Sequence, residues 1–163
     1  VYTPLNNSEK YTLVLMGRAD FGLLGSYNKY KQTPFETFHV GGDGITGSYT
    51  YATETIGLRG YDNGALTPYS DGRAYTRFSM ELHFPFLLQP SSTIYGLAFV
   101  EGGNAWTSLE NFNPFSLKRS AGVGVRIFLP MIGLMGIDWA YGFDKVQGEK
   151  GGGHFHFILG QEF

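Results

Sequence analysis

The stretch RAYTRFSMELHFPF (73–86) alternates in steps of two. Ala74, Thr76, Phe78, Met80, Leu82, Phe84 and Phe86 fall on one face; Arg73, Tyr75, Arg77, Ser79, Glu81 and His83 fall on the other. Period two is the mark of a β-strand. One face suits hydrocarbon and the other is rich in charge. In a soluble sandwich the apolar face would be core and the charged face surface. In a barrel in lipid the apolar face lies outside and the charged face lines the lumen.

The segments on either side decide between them. Residues 11–24 set Leu13, Leu15, Ala19, Phe21 and Leu23 against Thr12, Val14, Arg18 and Asp20. A short strand is expected at 34–42. Residues 93–102 are apolar on both faces, and a bulge is expected near Glu101, Gly102 and Gly103. Residues 119–129 set Ala121, Val123, Val125 and Ile127 against Ser120, Gly122, Gly124 and Arg126. Residues 133–144 set Ile137, Trp139, Tyr141 and Phe143 against Gly136, Asp138 and Asp144. Residues 154–163 set Phe155, Phe157, Leu159 and Phe163 against His154, His156, Ile158 and Gly160. This predicts seven strands, several long enough to cross a bilayer, for which ~9–11 tilted residues suffice. Long and short connectors alternate along most of the chain: 25–33 is medium, 43–72 very long, 87–92 short, 103–118 long, 130–132 short, 145–153 long. Outer-membrane barrels sort their loops this way, with short periplasmic turns and longer extracellular loops. A sandwich has no reason to. The expected fold is therefore all-β, a transmembrane antiparallel β-barrel with the loop 41–72 extracellular and Phe163 on the periplasmic side. Bacterial barrels use an even number of strands from about eight upward, and an open sheet in lipid leaves unpaired edges. Seven strands thus read as the C-terminal part of a larger barrel.

Composition agrees. Glycine is 24 of 163 residues, about twice the usual ~7%, which suits many turns and close strand packing. Aromatics at 17% exceed charged residues at 16%, as a wet–apolar boundary requires. A net charge of −2 offers no basic footprint for nucleic acid. The absence of cysteine removes any disulfide framework or thiol chemistry. No run of ~18 apolar residues predicts a membrane helix. The mean hydropathy of −0.13 does not argue against a membrane barrel, whose strands average out their two faces. The chain opens VYTPLNNSEK, with neither a basic-then-apolar leader nor a starting Met, and is expected to be a mature product or a piece of a longer chain.

The loop 41–72 is too long for a turn, and structureless loops beyond ~12–15 residues are usually functional or disordered. Ile45, Tyr49, Tyr51, Ile56, Leu58 and Tyr61 make it too apolar for a disordered linker, so it is expected to pack. Near its centre Leu58, Arg59, Gly60 and Tyr61 put one cation among apolar and glycine residues. Other constellations are weaker. Gly42-Asp43-Gly44-Ile45-Thr46-Gly47 fits a nucleotide fingerprint, but no helix opening follows it. Ser79 and His83 lie ~13 Å apart on one strand at ~3.3 Å per residue, too far for a nucleophile and its base. His154 and His156 have metal-like spacing but no indicated third ligand. Trp139, Tyr141 and Phe143 read as lipid-facing and girdle residues.

Four features together resemble the BamA-type outer-membrane assembly factors. Leu58-Arg59-Gly60-Tyr61, following Val40-Gly41-Gly42, resembles the family's hydrophobic–Arg–Gly–aromatic loop motif. FVEGGNAW (99–106) resembles its acidic-x-Gly…Trp strand, with Glu101 where Asp is the commoner residue. SAGVGVRIFLPMIGLMGIDWAYGF (120–143) resembles the two penultimate strands with their Pro-containing turn. HFHFILGQEF (154–163) resembles the C-terminal strand, with Gly160 three residues before a terminal aromatic. The resemblance implies the last seven strands of a sixteen-stranded barrel, with POTRA domains upstream. It implies Arg59 as a loop anchor within the lumen and Glu101 as its partner. It also implies a seam strand carrying Phe155, Phe157, Leu159, Gly160 and Phe163, weakest at Gly160. The implied function is insertion of β-barrel proteins into the bacterial outer membrane through that lateral seam. Implied partners are unfolded clients, accessory lipoproteins, outer-membrane lipid and lipopolysaccharide. No catalytic residue, cofactor or metal is implied. The alternatives are a related translocation barrel (TamA-like, or a two-partner secretion transporter), a passive porin, or a barrel enzyme.

Overall fold

The computed structural model describes residues 2–4, 13–25, 36–42, 53–89, 92–131, 133–146 and 152–160. Seven strands form one antiparallel sheet: β1 (Tyr2–Pro4), β2 (Val14–Leu23), β5 (Ala74–Gln89), β6 (Ser92–Trp106), β7 (Lys118–Leu129), β8 (Gly133–Gly142) and β9 (Gly153–Leu159), in that spatial order. Two further strands, β3 (Thr37–Val40) and β4 (Thr53–Ile56), form a small parallel pair apart from it. Among the described residues the only helical pieces are two short 3-10 turns, and no helix is long and apolar enough to cross a membrane. Strands β1 and β9 are the edges of the sheet.

The expected total of seven wall strands is met with one exchange. The segment 34–42 is not in the wall. Its described part pairs with β4 and is bridged to Gly72 through Phe38, and β1 takes its place as the seventh strand. The cause lies in burial: Thr37, Phe38 and Val40 are all buried, so this strand has no face to give to lipid. Strands β2 and β5 are consequently direct neighbours, paired from Val14–His83 to Leu23–Ala74. Strands β3 and β4 therefore lie within the connection from β2 to β5, and β2 runs opposite to the direction that a wall strand at 34–42 would require. All of the expected connector 25–33 but residue 25 lies outside the described residues. With that exchange the alternation of long and short connectors becomes regular.

The bulge also moves. Register runs unbroken through Ser79–Glu101, Phe78–Gly102 and Arg77–Gly103, and shifts instead between Pro85 and Leu87. Glycine keeps its ladder N–H; Pro85 has none to give, so the ladder breaks there. The displaced Phe86 ring lies over Gly96, where a side chain would meet it at 2.8 Å.

The two faces separate as alternation requires. One row across the sheet reads Leu15, Leu82, Ala98, Val123, Trp139 and Phe155, an apolar band on the outward face. The neighbouring inner row reads Val14, His83, Leu97, Gly124, Asp138 and His156. Strand β6 resolves the same way: Val100 is exposed, while Leu97, Phe99 and Glu101 are buried beneath the loop. An outward surface of Val, Ile, Trp and Phe over a polar inner face is the pattern of a membrane barrel wall.

Candidate functional site

The loop between β2 and β5 folds onto the inner face of the sheet. After Val40 the chain turns at Gly41 and Gly42, both with positive φ, and Gly42 is bridged to Leu58. Thr67 ties the returning strand down: its Oγ1 accepts from Val40 N at 2.8 Å and donates to Phe38 O at 3.3 Å. Phe38, Val40, Ile56, Leu58, Tyr61 and Leu66 pack on Tyr75 and Ala105 of the wall. Val40 and Leu58 are fully buried. Each such side chain contributes roughly 1.5–3 kcal/mol when removed from water. The loop therefore brings its own apolar core to the wall.

Leu58 at the centre of that core carries Arg59 into a buried charge cluster. The Arg59 guanidinium reaches three strands. Nε donates to Glu101 Oε1 at 3.1 Å and Nη2 to the same oxygen at 2.6 Å. Nη2 also donates to Glu81, and Nη1 to Asp138 Oδ2 at 2.9 Å. The backbone N–H of Arg59 donates to Glu101 Oε2 at 2.9 Å, so one carboxylate holds both main chain and side chain. The guanidinium carbon lies 3.5 Å from the centre of the Phe99 ring, a cation–π contact in a dry site. Arg77 donates to Glu101 at 3.2 Å, Arg126 binds Asp138 through both terminal nitrogens, and Ser79 Oγ donates to Glu101 at 3.2 Å. Three guanidiniums thus meet three carboxylates, and the cluster is neutral. Neutrality matters because an unpaired buried charge costs several kcal/mol. Burial alone would lower the Arg59 pKa; Glu101 and then Glu81 outweigh it and raise it, so Arg59 stays charged.

The wall makes room for this cluster with absent side chains. A Cβ at Gly124 would run into the Asp138 carboxyl, 2.8 Å from its carbon. A Cβ at Gly136 would meet Arg126 Cδ at 2.6 Å. Gly124 is the register partner of Asp138, and Gly136 that of Arg126. Each charged side chain lies over the glycine opposite it, and the two meet between the strands. Gly122 likewise leaves space for the Phe99 ring.

Beyond Arg59 the loop touches the far side of the sheet. Gly60 has φ +90, and a Cβ there would sit 2.9 Å from Ser120 Cβ and 3.0 Å from Gly142 N, so only glycine fits. Its N–H donates to His156 Nε2 on β9 at 3.0 Å. Tyr61 Oη donates to Arg119 O at 2.6 Å and accepts from Asp144 N at 3.4 Å, bracing β7 and β8 at the end away from their connecting turn. Burial pushes the Tyr61 phenol up, and it remains a donor. Arg119 hydrogen-bonds the Asp144 carboxyl and holds it below the usual range.

The structure therefore brings Leu58, Arg59, Gly60, Tyr61 and Glu101 together at the inner wall. Phe155, Phe157 and Leu159 form a separate outward row on β9, each about 70% exposed. Gly160 follows the strand with φ +117, and Phe163 lies outside the described residues. Residues 43–52, including Tyr49 and Tyr51, also lie outside them. Sequence reasoning missed Glu81 and Asp138 as partners of Arg59, Phe99 as its platform and His156 as the acceptor for Gly60. A signal for Asp138 was present: Gly124-x-Arg126 and Gly136-x-Asp138 are mirror patterns on adjacent strands. Ser79 and His83 are not brought together. Ser79 bonds Glu101, while His83 bonds Glu81 Oε2 at 2.9 Å and stacks on Tyr95. No group of three potential metal ligands occurs among the described residues.

Chemically, this site is a fastener: it holds a loop across a wall. A family model described as the Omp85 superfamily domain matches residues 1–163, the whole of the chain. No curated protein matches it.

Proposed function

The chain belongs to the Omp85 superfamily of outer-membrane β-barrels, which includes β-barrel insertases and translocators, and from that premise we propose that it inserts and folds β-barrel proteins into the bacterial outer membrane. The observation that carries this reading is the β9 edge. Strand β9 is seven residues long against sixteen in β5, is paired on one side only among the described residues, and gives way to Gly160 in a left-handed conformation. A short edge of this kind offers a template on which an incoming strand can add by β-augmentation. In the proposed arrangement these seven strands are the C-terminal part of a sixteen-stranded barrel, and further strands close the sheet on its β1 side. The seam lies between β9 and the first strand, and the β2–β5 loop enters from the extracellular side. Periplasmic POTRA domains, accessory lipoproteins, lipid and lipopolysaccharide are its proposed partners. No bond is made or broken, so no catalytic group is needed. The docked loop fills the inner face where a passive porin would keep an open path.

The test is done in cells that depend on the full-length protein. Arg59→Ala should undock the loop and lower the levels of folded outer-membrane barrels. Normal growth with normal barrel levels would remove the proposal. Loss of a secreted substrate with barrel levels intact would move it to a translocation relative.

A further inference from the structure

Two histidines of β9 face the docked loop. His156 is 6% exposed, and its Nε2 is the acceptor for the Gly60 N–H at 3.0 Å. His154 Nδ1 lies 3.3 Å from Asp62 Oδ1, and the two imidazoles stack with centres 6.2 Å apart. The loop's other polar anchors hold different strands: Glu81 on β5, Glu101 on β6, the Arg119 carbonyl on β7 and Asp138 on β8. Among the described residues, the polar ties from loop to edge strand are these two imidazoles.

A backbone N–H can only donate. The His156 Nε2 that receives it must therefore carry a lone pair, and the ring must be neutral with its proton on Nδ1. An added proton and the Gly60 N–H compete for that one lone pair. Asp138 of β8 is the register partner of His156, but it is already shared by Arg59 of the loop and Arg126 of β7. Among the described residues, His154 on the same strand and Asp62 on the loop also face this end of β9. Asp62 is 79% exposed on its side chain, and exposed pairs contribute little. The buried His156 bond decides the net direction.

We propose that His156 is a positioning residue that couples the loop tip to edge strand β9, and that it does so only as the neutral imidazole: a proton-sensitive latch. Acid releases β9 from the loop tip while Arg59 keeps the loop on the central strands. An added proton displaces the Gly60 N–H from that lone pair, so the tie to β9 holds at high pH and is lost in acid. The latch itself needs only the observed contact. Its consequence, a more mobile edge in acid, rests on the seam reading above.

The experiment is hydrogen exchange at the Gly60 amide of the full-length protein in lipid nanodiscs. Rates at pH 8 and pH 5 are divided by the intrinsic rate at each pH. Protection in the wild type should fall by about tenfold at pH 5, as the loss of one hydrogen bond implies. His156→Gln supplies an amide oxygen that accepts the same N–H and does not titrate, so its protection should be equal at both pH values. His154→Gln should titrate as the wild type does. A wild type equally protected at pH 8 and pH 5 overturns the latch, and that measurement needs no variant to fold. Pronounced titration in His156→Gln overturns it too. No client protein enters the assay, so failure of the insertase reading leaves this result standing, and the reverse holds.

Discussion

The centre of the sheet and its β9 edge share one alternation but differ in what covers their inner faces. At the centre, β5 and β6 run for sixteen and fifteen residues, and Glu81, Phe99 and Glu101 are engaged by Arg59. At the edge, β9 runs for seven residues and meets the loop through His156 and His154. The outward faces are alike, Met80 and Val100 at one place and Phe155 and Phe157 at the other. Lipid contact therefore does not distinguish the two regions. The difference is electrostatic: the loop places its buried Arg59 cation on the centre and meets the edge through a hydrogen bond to one imidazole and an exposed carboxylate beside the other. The wall is clamped in its middle and lightly held at its margin.

The largest effect should come from removing the clamp. Arg59→Ala leaves Glu81 without a cation, and leaves Glu101 and Asp138 dependent on Arg77 and Arg126. Breaking a buried ion pair from one side typically costs about 3–5 kcal/mol. The unfolding midpoint of the barrel in urea should fall accordingly, and protease should cut within 57–73. Arg59→Lys should recover only part, because one ammonium cannot fork to three carboxylates. A loop still protected in Arg59→Ala would mean that its apolar core alone docks it, and the contrast between centre and edge would lose its basis.

Next comes the difference between the two glutamates. Glu101 accepts from the Arg59 main chain and side chain, from Arg77 and from Ser79; Glu81 accepts from Arg59 and faces His83. Glu101→Gln should cost about 3 kcal/mol and Glu81→Gln about half that, since hydrogen bonds to charged groups contribute ~1.5–3 kcal/mol each and do not add fully. Urea midpoints of the two variants check the order. Equal losses would show that the cluster responds to its total charge and not to which strand holds the loop.

Much of this contrast can be read in the residues, and the failures are informative. Alternation at Ala121–Val125 and Ile137–Tyr141 assigns inward and outward faces, because in a barrel wall that assignment is a matter of period two alone. The same periodicity cannot tell a wall strand from a strand in a plug, and Phe38 and Val40 alternate as well as any wall residue. Only their partners, Gly72 and β4, exclude them from the wall. The glycine pair at 102 and 103 draws attention as a bulge site, yet Pro85, the residue that lacks a donor, breaks the ladder. Glu101 as the partner of Arg59 came through family resemblance; no local pattern links residues 42 apart in sequence. Asp138 belongs to a strand whose inner face otherwise reads leucine, glycine, alanine, glycine, and its role emerges only once Gly124 is placed opposite it.

Glycines sharpen the comparison at a finer scale. Gly124 lies under the cluster, where an alanine methyl would overlap the Asp138 carboxyl. Gly17 lies on β2, near the other margin, with nothing within 4 Å of an added methyl. Overpacking costs typically 1–3 kcal/mol, so Gly124→Ala should lose about that much. Gly17→Ala should be neutral or gain roughly 0.5 kcal/mol from the reduced freedom of the unfolded chain. Heat-modifiability on gels, read as the temperature at which each barrel unfolds, separates the two.

The smallest effect concerns a loop contact without charge. Tyr61 is 3% exposed, and its hydroxyl bridges the Arg119 carbonyl and the Asp144 N–H. Tyr61→Phe keeps the ring against Gly142 and removes only the hydroxyl. The Arg119 carbonyl loses a donor, and the Asp144 N–H is left at a rim where water can replace the lost partner. A neutral hydrogen bond contributes about 0.5–1.5 kcal/mol, and the wet position argues for the lower end. The loop should stay docked on β5 and β6, with exchange rising at Asp144 alone and the urea midpoint barely moving. A loss as large as that of Glu101→Gln would mean that the rim, and not the buried cation, sets the strength of docking.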